Sequence, residues 1–363
     1  MRKFFYLLLI PLLIISINTF AQTIRTDVLV IGGNTFGISA AKQAVKSGVK
    51  AHLIEETGSL GNTYEGKKVV TNTSRSDSLK KSLDTLKNLK IVLKVGVKSK
   101  ERDGNKWKVR LTDGTKISAR AIVDAEPRKF LAGKDSIYDV LVGNTSSTWP
   151  GNIYRTFVGD QPIKFFVDGK EENFISLKSI GRDANGQAAG AIAAYCAFFE
   201  TTAKKLDVRV IQGEILGYKG HLVDIYDVPK ADSNYLPIQR IAVTGIIELI
   251  NINGGSDLFQ PNEKVKIQDI TALREYFTRS KLWFEDNPLG ELTLEKLLSL
   301  IKFTGNRGEE LNREVEKGWK TSFKFTDSFD LKKQLTRRQA AVLIDAYLKP
   351  FNTKINLDGR IMN

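Results

Sequence analysis

The stretch DVLVIGGNTFGISAAKQAVKSG, residues 27–48, determines the fold that this chain can adopt. It opens on a continuous run of valine, leucine and isoleucine, which is typical of a parallel strand covered on both faces. A glycine-rich turn follows, and the alanine-rich segment Ile38 to Ser47 then predicts a helix that Gly48 stops. A second strand, Lys50 to Ile54, completes a strand–helix–strand unit and ends at Glu55-Glu56.

The turn in this unit has the glycine spacing of dinucleotide-binding folds. In such folds the first glycine permits a tight turn, the second lets the backbone approach a pyrophosphate, and the third lets helix and strand pack closely. Gly32 and Gly37 fill the first and third places, but Asn34 occupies the second. Glu55 lies 23 residues beyond Gly32, where it can accept a hydrogen bond from a ribose hydroxyl. We therefore predict an α/β, Rossmann-like domain with a dinucleotide at this turn.

Further elements follow along the chain. We predict a helix from Ser76 to Leu89 and a second small-residue helix from Gly186 to Thr202. Between them, alternating segments with Asp-Gly turns predict hairpins, and one more apolar run predicts another buried strand. The hairpin segments are Ile91 to Lys98, Lys106 to Leu111 and Thr115 to Ser118, the strand is Ala121 to Ala125, and residues 133–175 are predicted to be irregular.

These segments resemble the FAD-dependent oxidoreductase family whose bacterial members are known as xanthan-lyase-like. The resemblance covers most of residues 26–205, and the Gly-Gln-Ala-Ala-Gly run at 186–190 is its most specific piece. It implies an FAD-binding Rossmann domain of the glutathione-reductase type. The matching segments are 28–33, 37–41, 53–57 with 60–61, 121–125 and 186–190.

The resemblance also implies which residues would contact FAD. The glycines of the turn would line the pyrophosphate, Glu55 would bind the adenosine ribose, and Val97 would meet the adenine through its backbone. The helix start at Gly186–Ala189 would face the ribityl or isoalloxazine end, because a helix N-terminus stabilises negative charge on a reduced flavin. The complete predicted set is Gly32, Gly33, Asn34, Thr35, Phe36, Gly37, Glu55, Glu56, Gly61, Asn62, Val97, Ala125, Arg182, Gly186, Gln187, Ala188 and Ala189.

Several positions depart from the family pattern. Besides Asn34, Asn62 stands where the family repeats glycine after Gly61, and Ala125-Glu126-Pro127 replaces an Ala-Thr-Gly sequence. The substrate-side insertion of the relatives is also much shorter here. We expect these changes to affect substrate turnover more than the fold. No catalytic residue is assigned, and Arg182 and Asp183 are the nearest polar candidates.

The C-terminal region, residues 206–363, is predicted to be mainly helical. The order of short sequence segments between residues 226 and 261 resembles that of an S-layer-homology motif. A later segment resembles the second half of a further S-layer-homology motif. The region therefore forms either a small helical cap on the flavin domain or an independent wall anchor. The motif residues are Tyr226-Asp227-Val228-Pro229, Tyr235, Ile238, Gly245-Ile246, Phe259 and Pro261, and the later segment is Leu335-Thr336-Arg337 with Ala340 to Leu343.

The first 21 residues predict an export signal. Arg2 and Lys3 precede an apolar run from Phe4 to Ile17, and Thr19 and Ala21 fit the small-residue positions before a cleavage site at Gln22. An uncleaved membrane anchor is the alternative, but the run is short for a span of about 20 residues. We expect a periplasmic, cell-surface or extracellular protein with residues 22–205 as the FAD-binding domain and no membrane span after cleavage.

Composition excludes several classes of chemistry. Cys196 is the only cysteine and His52 and His221 are the only histidines, so an internal disulfide, a cysteine-rich metal site and multi-histidine chemistry are excluded. Cys196 and His52 both lie in apolar runs and are predicted to be core residues. Lys plus Arg number 55 against 41 acidic residues, but the lysines are spread, so we predict no nucleic-acid binding. The basic surface suits either an anionic envelope polymer or solubility alone.

Two functions from different classes follow. The first is an exported FAD-dependent oxidoreductase that transfers hydride or electrons to or from a small-molecule or glycan-derived substrate. The second is a non-catalytic envelope or glycan-binding protein on a degenerate flavoprotein scaffold. An NAD-linked dehydrogenase is less favoured, because the hairpin-rich segment at 91–118 suits FAD-binding folds better.

Overall fold

The structure is a computed structural model that describes residues 23–65, 68–70, 72–126, 153–159, 161–167, 171–177, 183–251 and 257–362. The predicted signal segment, residues 1–21, lies outside the described residues, as does Arg182. No helix in the described ranges is long and apolar enough to span a membrane.

A seven-stranded, mostly parallel sheet forms the centre of the N-terminal region. The three segments predicted to be neighbouring strands do pair in parallel, with Val30 opposite Leu53 on one side and Val123 on the other. The strands are β1 (Ile24–Ile31), β2 (Ala51–Glu55), β3 (Thr63–Glu65), β4 (Lys68–Val70), β5 (Leu89–Leu93), β6 (Val97–Asp103), β7 (Lys106–Leu111), β8 (Lys116–Asp124), β9 (Phe157–Val158), β10 (Gln161–Pro162), β11 (Phe174–Ser176), β12 (Ile250–Asn251) and β13 (Asp257–Leu258).

The sheet has the strand order β5-β2-β1-β8, and β8 has two different partners on its far side. The first half of β8 pairs antiparallel with β7, whereas its last three residues pair in parallel with β11. The antiparallel β6–β7 hairpin therefore sits between the third and fourth parallel strands in sequence. This is the Rossmann-like arrangement of FAD-binding domains of the glutathione-reductase type.

One predicted hairpin strand and the end of one predicted helix were wrong. The segment Ile91 to Lys98 is not one hairpin strand, since it contains the end of β5, which pairs in parallel with β2, and the start of β6. As an edge strand β5 is only half buried, so its pattern resembles that of a hairpin strand. The predicted helix to Leu89 ends at Asp84, and β5 begins at Leu89.

Alternate residues of the strands bury opposite faces of the sheet. Val28, Val30 and Leu53 face a core under the helices, whereas Leu29, Ile31 and Ile54 face a core under the β6–β7 hairpin.

The helices of the described residues are α1 (Thr35–Lys46), α2 (Thr73–Asp84), α3 (Asp183–Phe198), α4 (Val208–Gly217), α5 (Tyr235–Ala242), α6 (Leu273–Tyr276), α7 (Ser280–Asp286), α8 (Leu294–Gly305), α9 (Glu310–Thr321) and α10 (Arg337–Tyr347).

Helices α1 and α3 cross at very short distance on one face of the sheet. A Cβ atom added at Gly186 would clash with the backbone of Phe36, and one added at Gly190 would clash with the backbone of Ala40. From the first contact to the second, both helices move four residues towards their C-termini. Helices α1 and α3 therefore run parallel, and their N-termini lie at the same end. The predicted helix at Gly186–Thr202 is thus present, but it begins at Asp183 and ends at Phe198.

The C-terminal region is mainly helical, as predicted. Three of its segments, each followed by a helical turn, are joined by a closed ring of three backbone hydrogen bonds. The backbone N–H of Val265 donates to Leu335 O, that of Leu335 to Leu292 O, and that of Leu292 to Val265 O. A helical turn follows each of the three residues, and Thr293 and Thr336 cap the helices α8 and α10. A 3-10 turn, Ile267–Ile270, precedes the short helix α6. Near the C-terminus, Ile355 and Ile361 form a single antiparallel bridge.

Helix α4 joins the two regions. It packs on α3, and the backbone N–H of Val208 donates to Ile355 O, 3.0 Å away near the C-terminus. The side chain of Gln212 donates to the backbone carbonyls of Arg155 and Phe157. The boundary between residues 205 and 206 stays a prediction.

Candidate functional site

The turn between β1 and α1 has the tight geometry that its glycines predict. Gly32 has a φ of +98°, which glycine adopts without steric cost, and a Cβ there would lie 3.1 Å from the carbonyl carbon of Ala125. A Cβ at Gly37 would clash with the carbonyl oxygen of Gly32. The first and third glycines therefore have the roles expected of them, a sharp turn and a close helix–strand approach.

Asn34 caps helix α1. Its Oδ1 accepts hydrogen bonds from the backbone N–H groups of Phe36 and Gly37, both at 3.0 Å. Its Nδ2 donates to the carbonyl oxygen of Ala125 at 2.5 Å. The Asn34 side chain thus satisfies two of the N–H groups at the helix start and ties that start to the end of β8.

Two backbone N–H groups at the start of α1 have no hydrogen-bond acceptor among the described residues. No acceptor among the described residues lies within hydrogen-bonding distance of the backbone N–H of Asn34 or of Thr35. Because α1 and α3 run parallel, the N-terminus of α3 lies beside them. Free N–H groups together with the positive ends of two helix dipoles favour an anion such as a phosphate.

Glu55 ends strand β2 directly beside the turn and is only 3% exposed. Its Oε2 accepts a hydrogen bond from the backbone N–H of Gly33, and its Oε1 accepts from both the backbone N–H and the Oγ1 of Thr57, each at 2.8 Å. The predicted ribose acceptor is therefore also the residue that joins the turn to the following loop. Binding to a ribose remains a prediction.

The loop after β2 folds back over the turn. The backbone N–H of Gly61 donates to Gly33 O at 2.7 Å, and a Cβ at Gly33 would lie 2.7 Å from Leu60 Cδ2. The backbone N–H of Leu60 in turn donates to Ser76 Oγ at 2.8 Å in helix α2. Sequence reasoning missed this covering role of Leu60, because an isolated leucine in a loop has no periodicity that would reveal it.

Asn62, in the same loop, has an amide oxygen without a partner. The side chain is 1% exposed, and its Nδ2 donates to Thr57 Oγ1 at 2.7 Å and to Ser59 O at 2.9 Å. Its Oδ1 is buried and accepts no hydrogen bond from any described residue, and the same holds for Oδ1 of Asn185 in the first turn of α3. Hydroxyl groups of a ligand could satisfy both oxygens.

The segment predicted to meet an adenine also passes this end of the sheet. The backbone N–H of Val95 donates to Glu55 O at 3.0 Å, and Glu56 Cγ lies 3.3 Å from the position of a Cβ on Gly96. Val97 follows as the first residue of β6. Its contact with an adenine stays a prediction.

The Gly186–Ala189 segment has a structural role that was not predicted. It lies one turn inside α3 rather than at the helix start, and Ala188 and Ala189 are completely buried. Gln187 is half-buried and donates to Gln43 Oε1 of α1 at 3.0 Å. The position of the helix start was therefore wrong, since α3 begins at Asp183.

His52 and Cys196 are core residues, as the sequence indicates. Burial, assisted by the charge of Lys90, lowers the pKa of His52. Burial raises the pKa of the Cys196 thiol to about 12. A neutral imidazole inside a strand and a protonated, buried thiol have no nucleophilic function here.

The donors and acceptors around the turn fit a dinucleotide. Asn34 and Thr35 offer free N–H groups for phosphate, and the oxygens of Asn62 and Asn185 can accept hydrogen bonds from sugar or ribityl hydroxyls. In the part of the chain that the structure describes, no group of three or more histidine, cysteine, aspartate or glutamate side chains could hold a metal ion.

Comparisons with known proteins give limited similarity. No protein-family model and no curated protein matches this chain. Among solved structures, L-proline dehydrogenase from P. horikoshii is 26% identical over 29% of this chain and 23% of its own, with a TM-score of 0.23. A flavin-containing monooxygenase from Stenotrophomonas maltophilia is 19% identical over 28% of this chain and 38% of its own, with a TM-score of 0.24. Bacillithiol disulfide reductase from Staphylococcus aureus is 16% identical over 28% and 38%, with a TM-score of 0.23.

The chain matches well under half the length of each of these structures. TM-scores this low carry no argument about activity. The class of protein therefore follows from the chain's own geometry, which is that of a Rossmann-type dinucleotide-binding domain with a helical C-terminal region.

Proposed function

We propose that this chain is an exported FAD-binding protein of the oxidoreductase type, with the dinucleotide at the turn between β1 and α1. One observation carries the proposal: two backbone N–H groups, of Asn34 and Thr35, are free at a helix N-terminus that lies beside a second, parallel one. Together they provide a site for the pyrophosphate. The flavin, when bound, supplies hydride or electron transfer.

The residues of this chain would hold FAD along one edge of the sheet. The turn would bind the pyrophosphate, and Glu55 would face the ribose beside the segment around Val97. Asn62 and Asn185 would accept hydrogen bonds from hydroxyl groups of the ligand. FAD is consistent with the antiparallel hairpin between β5 and β8. No acid or base is assigned, and the proposed substrate is a small-molecule or glycan-derived compound.

A single substitution tests the role of the helix start. Thr35 is the first residue of α1, where proline is tolerated and removes only the backbone N–H. Asn34 has φ −72° and ψ −179°, a conformation that a following proline permits. Thr35→Pro should therefore leave the free energy of unfolding unchanged or slightly raised. It should weaken FAD binding by about 1.5–3 kcal/mol, roughly tenfold to a hundredfold in Kd.

Thr73→Pro is the matched control, since Thr73 is the first residue of α2 and follows the capping residue Asn72 in the same way. FAD affinity is measured by the quenching of flavin fluorescence, and stability by urea unfolding. Equal FAD affinity in Thr35→Pro and Thr73→Pro would refute phosphate binding at the start of α1.

Export is a separate part of the proposal. It is supported by the charged, apolar and small-residue pattern of residues 1–21. The mass of the protein recovered from the producing cells should correspond to a chain that starts at Gln22. A full-length chain retained in the cytoplasm would contradict export without affecting FAD binding.

A further inference from the structure

A groove away from the turn runs along the C-terminal region and adjoins helices α1 and α3. Its main part, about 1320 Å³, is bounded by α4, α5 and the end of α10. A second part, about 460 Å³, continues along α1 and α3. Both parts share Lys219, Gly220 and Lys230 as wall residues, so they form one continuous track.

The charges in this groove are unbalanced. Five lysines line it, and none of them forms an ion pair within the described residues: Lys42, Lys46, Lys219, Lys230 and Lys349.

The acidic residues of the groove are all engaged. Asp207 caps α4 by accepting a hydrogen bond from the backbone N–H of Arg209. Asp232 pairs with Arg338 at 2.6 Å, and Asp345 pairs with Arg240 at 3.2 Å. With two arginines added to the five lysines, seven basic residues line the groove against three aspartates, so its net charge is positive.

Two of the lysines are held in a strained backbone conformation. Lys219 follows α4 with a φ of 63°, and Lys349 follows α10 with a φ of 52°. Glycine is preferred at such positions after a helix, because a side chain makes left-handed backbone unfavourable. Strained residues cluster at functional sites, and these two bring lysines to the same groove from the ends of two different helices.

The charge of the groove and one exposed aromatic ring indicate its occupant. Tyr218, 38% exposed, lies in the wall with Lys46 Nζ 5.4 Å from its ring centre. One exposed ring beside a lysine suits a sugar that carries an acidic group, whereas single-stranded nucleic acid requires successive aromatic platforms.

We propose that this groove binds an acidic polysaccharide, a chain of sugars with carboxylate groups that the lysines pair. The inference does not depend on FAD, because none of the five groove lysines is among the residues predicted to contact FAD.

Oligogalacturonate is the probe, and its binding to the full mature chain is measured by isothermal titration calorimetry at low ionic strength. Lys219→Gly and Lys349→Gly each remove a charge and relieve the left-handed strain, so both variants should unfold at a higher temperature. Each should bind oligogalacturonate about two- to fivefold more weakly, the range for solvent-exposed ion pairs. The double variant should be weaker still, and added salt should weaken the parent protein.

Lys324→Gly is the matched control. Lys324 is exposed, has a φ of 60° and is not among the groove residues, so this variant has the same loss of charge and strain. It should be stabilised like the others and bind the probe as the parent does. Equal weakening in Lys324→Gly, or no binding by the parent, would overturn the proposal. Equally tight binding of a neutral oligosaccharide, or of single-stranded DNA with the same dependence on Lys219, would overturn it too. The same variants should bind FAD with the affinity of the parent protein. Failure of the polysaccharide proposal would therefore appear in the oligogalacturonate titration alone, and failure of the FAD proposal in the FAD titration alone.

Discussion

Replacing Asn34 by glycine should destabilise the protein and strengthen its binding of FAD. The substitution places glycine at the second position of the turn, as in the dinucleotide-binding pattern that the sequence resembles. It removes the cap on the N–H groups of Phe36 and Gly37 and the hydrogen bond to Ala125 O. Exchange of a capping Asn for Gly costs a few tenths of a kcal/mol, and loss of a bond to a buried carbonyl costs about 1–2 kcal/mol. We expect the free energy of unfolding to fall by about 1–2 kcal/mol.

The same substitution frees two donors for the ligand. The N–H groups of Phe36 and Gly37 then join those of Asn34 and Thr35 at the helix start. A hydrogen bond to a charged group is worth about 1.5–3 kcal/mol, so the FAD affinity should rise by about tenfold or more. At a free FAD concentration about one hundred times Kd, binding stabilises by about 2.7 kcal/mol, which offsets the lost cap.

Urea unfolding with and without FAD measures both effects. Asn72→Gly is the control, because Asn72 caps α2 through a hydrogen bond from Arg75 N at 3.0 Å and lies outside the turn. It should lower stability slightly and leave FAD binding unchanged. Weaker FAD binding in Asn34→Gly than in the parent would refute the view that Asn34 competes with phosphate for donors.

Three further predictions concern buried groups near the sheet. Glu55→Gln should lower the free energy of unfolding by about 1.5–3 kcal/mol as well as weaken FAD binding, since the carboxylate accepts three hydrogen bonds; urea unfolding showing no loss would contradict this. Since the pKa of His52 is lowered from 6.5, the unfolded chain binds its proton at higher pH than the folded chain, and stability should fall as pH drops below about 7. His52→Leu should flatten that slope between about pH 7.5 and 5.5 in urea unfolding, and an unchanged slope in this variant would count against the assignment. Cys196, with its pKa raised to about 12, should resist a disulfide reagent until urea unfolds the chain, and rapid labelling of the folded protein would contradict its burial.

The sequence predicted the fold well where short-range patterns decide it. The apolar run before Gly32 and the spacing to Glu55 were enough to place β1, α1 and β2, because buried parallel strands and tight glycine turns have distinctive residues. Strand β5 was misassigned, since an exposed edge strand lacks a continuous apolar run. Strand β11 was missed because three residues, Phe174–Ser176, are too few for a periodic signal.

The candidate site was predicted less completely than the fold. The sequence indicated that Asn34 adds bulk at the turn, but not that its side chain caps α1 and donates to β8, since that contact spans 91 residues. Contact between the Gly186–Ala189 segment and a ligand stays a prediction, but the close approach of its glycine to α1 and the burial of its alanines were not predicted. A small-residue helix start has the same composition in both roles, so only the packing distinguishes them.

The free helix start between β1 and α1 is the centre of this account, and titration of the parent protein with FAD tests it most directly. Quenching of flavin fluorescence should saturate at one FAD per chain, and ADP should compete, because the ADP half of FAD contains the pyrophosphate and ribose that the turn would hold. Fluorescence that stays at the level of free FAD throughout the titration, in the parent and in Asn34→Gly alike, would contradict the proposed function.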